Sequence, residues 1–415
     1  MTTAALTRRL GTGDAVVIGL GSMIGAGVFS AFAPAARAAG SGLLIGLALA
    51  AGVAYCNAVA SAQLAAQYPT SGGTYVYGRE RLGEWWGFVA GWGFVVGKTA
   101  SCAAMALTFA SYAAGGSEWV IRLVALAAVL LLTAANYRGI SRTAETARVL
   151  VALSIVALLV VVFAIAANHG AGVGREGLSS YGTGGLYGVL QAAGLLFFAF
   201  AGYARIATLG EEVREPERTI PRAIPIALGI AIGLYLLVGI AALVALGPEG
   251  LAASTRPLSE AVDAVGAAWA VPIVRIGAAV ASLGALLALV AGVGRTGLAM
   301  ARNGDLPRWL DSVHPRYRVP DHAELAVAAV VAVLVLTTDL RGAIGFSSFG
   351  VLTYYAIANV SAYTQDVAHR RWPRVLNAAG LLGCVVLVVT LPWTAVVAGL
   401  AVFAIGVAAR FVLHR

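Results

Sequence analysis

The sequence predicts an all-α polytopic membrane protein of about twelve transmembrane helices, and three observations carry the prediction. Only 11% of the 415 residues are charged while 60% are hydrophobic, against roughly 25% charged in a soluble domain. Nearly uncharged runs of the ~20 residues that cross a bilayer recur from end to end. Basic residues gather in alternate loops, as they do when every second loop is cytoplasmic.

Hydropathy and turn residues place helices near 14–36, 41–66, 84–113, 119–136, 146–167 and 187–209, then 222–247, 267–301, 323–338, 340–363, 375–391 and 393–411. An even number leaves both ends on one side. Arg8, Arg9, Arg79, Arg81, Arg138, Arg142, Arg148, the Arg214–Arg222 run, Arg302, Arg308, Arg316, Arg318, Arg370, Arg371, Arg374, Arg410 and Arg415 collect on the side of the termini. Arg37, Arg122, Arg175, Arg256, Arg275 and Arg341 fall on the other. Both termini are therefore expected in the cytoplasm and the protein in the inner, cytoplasmic membrane. The net charge of +9 follows from this asymmetry, and no basic–aromatic constellation calls for nucleic acid.

The first span is expected to stay in the mature protein. Its apolar stretch is too long for a signal peptide, Arg8 and Arg9 are its whole basic flank, and no cleavage site follows. Cys56, Cys102 and Cys384 sit inside spans without CxxC spacing, which argues against a disulfide framework or a zinc site. The histidines, His169, His314, His322, His369 and His414, fall in loops or the tail, so neither an intramembrane relay nor an HExxH motif is present. No cofactor and no metal are expected.

Within the first span, Gly19 to Gly27 packs four glycines into nine residues, an expensive composition at nearly 1 kcal/mol per glycine relative to alanine. In the sixth, Phe197-Phe198-Ala199-Phe200-Ala201-Gly202-Tyr203 makes a second small-residue interruption. The two occupy equivalent places, the first helix of each half. Glycines in membrane helices also serve close packing, and Gly21 to Gly25 is itself a GxxxG. Paired breaks at the midplane, however, are how transporters built from inverted repeats expose backbone amides and carbonyls to a substrate. Half-helix N-termini favour a carboxylate, and free carbonyls favour an ammonium group or a cation.

Three stretches together resemble the amino acid, polyamine and organocation (APC) transporter superfamily, and the resemblance covers nearly the whole chain. They are GLGSMIGAGVF over Gly19–Phe29, PTSGGTYVYGR over Pro69–Arg79, and FFAFAGYARIATLGEEVREPERTIPRAI over Phe197–Ile224. The resemblance implies one transmembrane transporter domain over 1–415. It would hold two five-helix inverted repeats, helices 1–5 over 14–167 and helices 6–10 over 187–363, with helices 1 and 6 discontinuous and two further helices over 375–411. It implies secondary active transport of amino acids by alternating access, without enzymatic activity. The substrate carboxylate would meet amides around Ser22, Gly25, Ala26 and Gly27. Its amino group would meet carbonyls of Met23, Ile24, Phe198, Ala199 and Ala201, with Phe198 as the gate. Lys98, Cys102 and Met105 share one face of helix three by their spacing, and in similar transporters that face borders the substrate.

The sequence departs from this pattern at helix five, where many relatives carry a lysine in place of a sodium ion and Ser154 stands here. Ser154 and Ser282 offer hydroxyls to Na⁺, but serines on membrane helices also pack. Two cations lie within spans, Lys98 and Arg205, and each needs a cavity, a partner or backbone carbonyls. Lys98 is a candidate for proton coupling, for a fixed strut on the broken helices or for a direct contact with an acidic side chain; Arg205 either couples, caps unwound carbonyls or reaches to the inner interface. Many relatives place an acid where Ala204 stands, so cationic substrates are disfavoured. Neutral amino acids lead and acidic ones follow, with a proton ahead of sodium as the coupling ion. An exchanger and a non-transporting amino-acid sensor remain alternatives on the same fold. An intramembrane enzyme would need acids, histidines or Ser/Lys dyads in the spans, and a channel a continuous polar stripe. The charges from Glu211 to Arg222 read as structural contacts of the inner side.

Overall fold

The computed structural model describes residues 8–70, 72–139, 144–168 and 184–413. Ser71 of the loop motif, Arg142, His169, Arg175, His414 and Arg415 lie outside the described residues. The first expected span is three helices, α1 (Thr12–Met23), α2 (Ala26–Ser30) and α3 (Phe32–Ala39). After it come α4 (Leu43–Gln67), the short α5 (Gly73–Leu82), α6 (Glu84–Ala113), α7 (Glu118–Tyr137) and α8 (Ala144–Asn168). From residue 185 onward come α9 (Gly185–Phe200), α10 (Ala204–Ala207), α11 (Pro216–Ala253), α12 (Pro257–Ala264), α13 (Val271–Arg302), α14 (Asp321–Thr337) and α15 (Leu340–Tyr363). Helices α16 (Arg374–Thr390) and α17 (Trp393–Leu413) follow.

Among the described residues, nine helices are long and apolar enough to cross a membrane, counting Thr12–Ser30 as one, and α9 and α16 are shorter apolar helices. The chain is an all-α polytopic membrane protein. Trp85, Trp86, Trp119, Trp269 and Trp393 stand exposed at or beside helix ends, where indole rings settle at the headgroup level. Helix α11 starts at Pro216, earlier than expected, because proline suits a first helical position where its missing N–H is no loss. It breaks where the expected span ends, at Gly247 with φ of 68°.

The centre of the bundle is α6 against α15, each 78% buried over its most apolar window, whereas α7 and α17 are 22% buried and face lipid. Glycines allow the central approach. A methyl group on Gly97 would come within 3.1 Å of the Gly350 Cα, and one on Gly350 within 2.7 Å of the Gly93 carbonyl oxygen. Without a side chain on either, the backbones touch, as small residues allow in membrane helices. The same contact seats Lys98, the neighbour of Gly97, deep in the bundle.

On the side of the termini, Asp305 is buried completely. It accepts from Arg79 at 3.0 Å and from the Tyr75 hydroxyl at 2.7 Å, and it forms an ion pair with Arg410 at 2.9 Å. Arg410 lies between the rings of Trp85 and Phe88, 4.5 and 4.9 Å from their centroids. One carboxylate thus ties α5 and the exit of α13 to the last helix. The segment after α10 is held by backbone more than by its charges. Arg9 and Leu10 donate to the Glu212 carbonyl at 3.0 and 3.1 Å, and Arg214 donates to the Leu10 carbonyl at 2.9 Å. Arg218 and Glu215 pair at 3.3 Å in solvent, where such contacts contribute little.

Candidate substrate site

Both expected breaks are present. Helix α1 stops at Met23, Ile24 adopts φ −79°, ψ 65°, and the Gly25 N–H closes a tight turn on the Met23 carbonyl at 2.8 Å. Helix α2 restarts at Ala26, so the amides of its first turn have no carbonyl four residues back. In the second half the turn spans Ala201–Tyr203, between α9 and α10. Phe198 and Ala199 therefore remain in the last turn of α9.

The breaks meet in crossed order. A methyl group on Gly27, after the first break, would come within 2.6 Å of the Cα of Ala199, before the second. One on Gly202, inside the second break, would overlap the carbonyl of Ser22, before the first. A methyl on Gly25 would face Ala285 of α13 at 3.0 Å and Met105 of α6 at 4.0 Å. Ala26, Cys102, Met105, Phe198 and Ala285 pack in one apolar cluster. Every expected contact residue except the partly exposed Ser22 is buried, so the centre is closed in this conformation, with Phe198 8% exposed.

Three of the carbonyls expected to meet an ammonium group, those of Met23, Ala199 and Ala201, are engaged by the protein itself. The Tyr235 hydroxyl donates to Met23 at 2.7 Å and to Ala199 at 3.1 Å, bridging the two breaks. Lys98 Nζ donates to the Ala201 carbonyl at 3.1 Å, and the Tyr355 hydroxyl reaches the same oxygen at 3.3 Å. The Met23 carbonyl also accepts from the Gly25 N–H, so it and the Ala201 carbonyl each already hold two donors, and an ammonium group would displace one of them. Lys98 forms no ion pair among the described residues and is 8% exposed, which makes it the positive charge of the centre.

The remaining candidates lie elsewhere. Arg205 bonds the Thr208 hydroxyl at 3.0 Å and pairs with Glu212 at 3.8 Å, with 40% of its side chain exposed. It belongs to the exit of helix six and reaches no carbonyl of the break through any of these contacts. Ser154 donates to the Leu150 carbonyl of its own helix at 2.7 Å. Ser282 is fully buried, and its hydroxyl has no partner among the described residues. No hydrogen bond joins the two serines, and no cluster of acids, histidines and cysteines fit for a metal occurs among the described residues. Sequence reasoning missed Tyr235 and Tyr355. The available signal was a phenol in the middle of an apolar span, whose hydroxyl must find a partner once buried.

The chain matches the model of the amino acid permease family over residues 10–412. It is 61% identical over 407 residues to an uncharacterised transporter of Mycobacterium tuberculosis, covering 97% of this chain and 91% of that one. A branched-chain amino acid permease of Bacillus subtilis is 27% identical over 440 residues, covering 99% and 94%. A chloroplastic cationic amino acid transporter of Arabidopsis thaliana is 28% identical over 408 residues, covering 92% and 70%. Paired breaks, a family match over nearly every residue and relatives aligned from end to end lead to one conclusion: the chain belongs to the amino acid permeases of the APC superfamily.

Proposed function

We propose that this permease is a secondary active transporter that moves a neutral amino acid across the cytoplasmic membrane by alternating access, with both termini inside and the proton as coupling ion. The crossed contact of Gly27 with Ala199 and of Ser22 with Gly202 carries the reading. Two inverted repeats, over 14–167 and 187–363, bring their broken helices together in this antiparallel order, with 375–411 added outside them. The carboxylate binds at the amides that open α2, and the ammonium group binds the Met23, Ile24, Phe198, Ala199 and Ala201 carbonyls, displacing a donor at Met23 and at Ala201. Gly25 leaves room for the carboxylate, Cys102 and Met105 shape the side-chain pocket, and Phe198 closes it.

Lys98 supports the choice of substrate and of ion. Its charge repels cationic side chains, and Ala204 supplies no acid to compensate. As an ammonium group it holds the Ala201 carbonyl; on losing its proton it holds that carbonyl less strongly, because charge-assisted hydrogen bonds are the strong ones. Proton release and movement of the second break are linked in this way. The branched-chain permease among the relatives supports a neutral substrate. An acidic substrate is the second reading, favoured by the absence of an ion-pair partner for Lys98 among the described residues.

Thermal-shift screening against the twenty amino acids, then uptake into proteoliposomes, tests the assignment. Neutral amino acids should stabilise the protein and enter the vesicles, faster with the outside acidic. Lys98→Met should lose that dependence on the proton gradient. Wild-type uptake indifferent to an imposed proton gradient refutes the coupling, and stabilisation by an amino acid that never enters vesicles identifies a sensor.

A further inference from the structure

Away from the breaks, α4, α15 and α16 meet along a seam of amides and hydroxyls. Asn359 donates to the Asn57 side-chain oxygen at 2.6 Å, and the Cys384 thiol lies 3.4 Å from the same oxygen. All three are 0% exposed. Gly380 makes room for the Asn359 amide, which a methyl group there would overlap. One turn along α4 from Asn57 lies Ser61, with Asn377 on the facing α16. Lower still, Gln365 donates to the Gln67 side chain at 2.6 Å and the Gln63 carbonyl at 3.4 Å, while the Gln63 side-chain oxygen accepts the Arg371 N–H at 3.2 Å. There the seam opens on a surface cavity of about 320 Å³ lined by Gln67, Glu217, His369 and Arg371.

Protein atoms satisfy only part of this polarity. Asn57 Nδ2, Asn359 Oδ1, both polar atoms of the Asn377 amide, the Ser61 hydroxyl, Gln63 Nε2 and Gln365 Oε1 are buried without a partner among the described residues. Isolated orphans are tolerated in native proteins, but a contiguous run of them inside a membrane bundle is not, unless water supplies the missing bonds. The upper end of the seam reaches the substrate centre. Tyr355, one turn before Asn359 on α15, shares the Ala201 carbonyl with Lys98.

We propose that this seam holds a file of water that carries protons between Lys98 and the cytoplasmic cavity, separate from the path of the substrate. The inference rests on the proton-coupled reading above. The ammonium group of Lys98 gives its proton to water at the Tyr355 end, and the proton passes from water to water and leaves at the cavity of Glu217 and His369. The amides and hydroxyls orient the water and do not titrate. The titratable groups around Lys98 are Cys102 on its own helix, Tyr355 of α15, and Tyr203, whose ring centroid lies 5.1 Å from that of Tyr355. No carboxylate bonds it among the described residues, so the file is its outlet.

Two measurements test this. Hydroxyl-radical footprinting reports water beside buried side chains without needing a substrate. Cys384 in the wild type should be modified at least tenfold faster than in Asn359→Leu, and protection of Cys384 in the wild type overturns the proposal. Proteoliposomes loaded with a pH-sensitive dye, with labelled alanine, leucine and phenylalanine as probes, separate proton movement from exchange. Asn359→Leu and the milder double variant Ser61→Ala/Asn377→Ala should lose at least tenfold in substrate-driven proton flux while keeping exchange within twofold. Unchanged proton flux in the folded variants overturns the seam, as does an equal loss of flux and exchange in the double variant. A wild type that moves no protons overturns the coupling reading itself, a result distinct from either.

Discussion

Replacing Gly202 by alanine inserts a methyl group at the point where the second break touches the first. The new carbon falls on the Ser22 carbonyl, well inside the ~3.5–4.0 Å at which non-bonded atoms rest. Both sides of the clash are backbone, so no rotamer relieves it and the segments must part by about 1 Å. Overpacking of this kind costs roughly 1–3 kcal/mol. The same displacement carries the neighbouring Ala201 carbonyl away from Lys98, now at 3.1 Å; beyond ~3.5 Å that bond is lost, along with about 1.5–3 kcal/mol for a charged donor. The expected total is on the order of 3 kcal/mol or more. Gly229→Ala and Gly233→Ala are the controls, because nothing lies within 4 Å of the methyl position at either site of α11, and they should gain up to about 1 kcal/mol. Thermal unfolding of the purified protein and uptake into proteoliposomes should both fall sharply for Gly202→Ala and hold for the controls. Wild-type melting and uptake in Gly202→Ala would refute the crossed contact as the centre of the site.

Further expectations follow from the same structure. Gly25→Leu should reach the membrane yet lose uptake, because its side chain would crowd Ala285 and Met105; normal transport by this variant moves the carboxylate site elsewhere. Asp305→Ala leaves Arg79 and the buried Arg410 with only the exposed Glu84 as a counter-charge among the described residues and should cost a few kcal/mol, up to about 3–5, read as a lower melting temperature, with Asp305→Asn less affected. Burial, and then the hydrogen bond to Asp305, push the Tyr75 hydroxyl up to about 12. The folded state therefore holds that proton more tightly, and the stabilisation is complete below about pH 10 and lost as pH rises through 12. Melting temperature should fall more steeply over that alkaline range in the wild type than in Tyr75→Phe; equal slopes would contradict the contact.

The spans are legible in the sequence because solvent makes them so, since long uncharged runs have one stable arrangement in a bilayer. The first break is legible from its glycines. The second is less sharply marked. Phe198, Ala199 and Phe200 suit a helix, and the turn begins only at Ala201, where Gly202 must come against the Ser22 backbone. What stays hidden is pairing between distant segments. Arg410 reads as one more cytoplasmic charge, yet it is 3% exposed and bonded to Asp305, a partnership that neither local composition nor period encodes. Arg205 is the contrasting case. Its position after a break admits carbonyls or the inner interface, and its long side chain turns to Thr208 and Glu212 at the exit of helix six. Tyr235 passes as an ordinary aromatic of α11 until both broken segments are placed beside it.

Tyr235 has one hydroxyl proton and two acceptors, Met23 at 2.7 Å and Ala199 at 3.1 Å. Whichever broken helix swings away first, the proton can be handed to the carbonyl that stays. Separation of the two segments then forfeits the difference between a shorter and a longer hydrogen bond, never a whole one. The energy surface for parting them is flattened at the very place where the helices have no ladder of their own to resist motion. A phenylalanine there would preserve the packing but remove the shared donor, so the two segments would no longer be tied through one proton, and both carbonyls would lose that partner in every conformation.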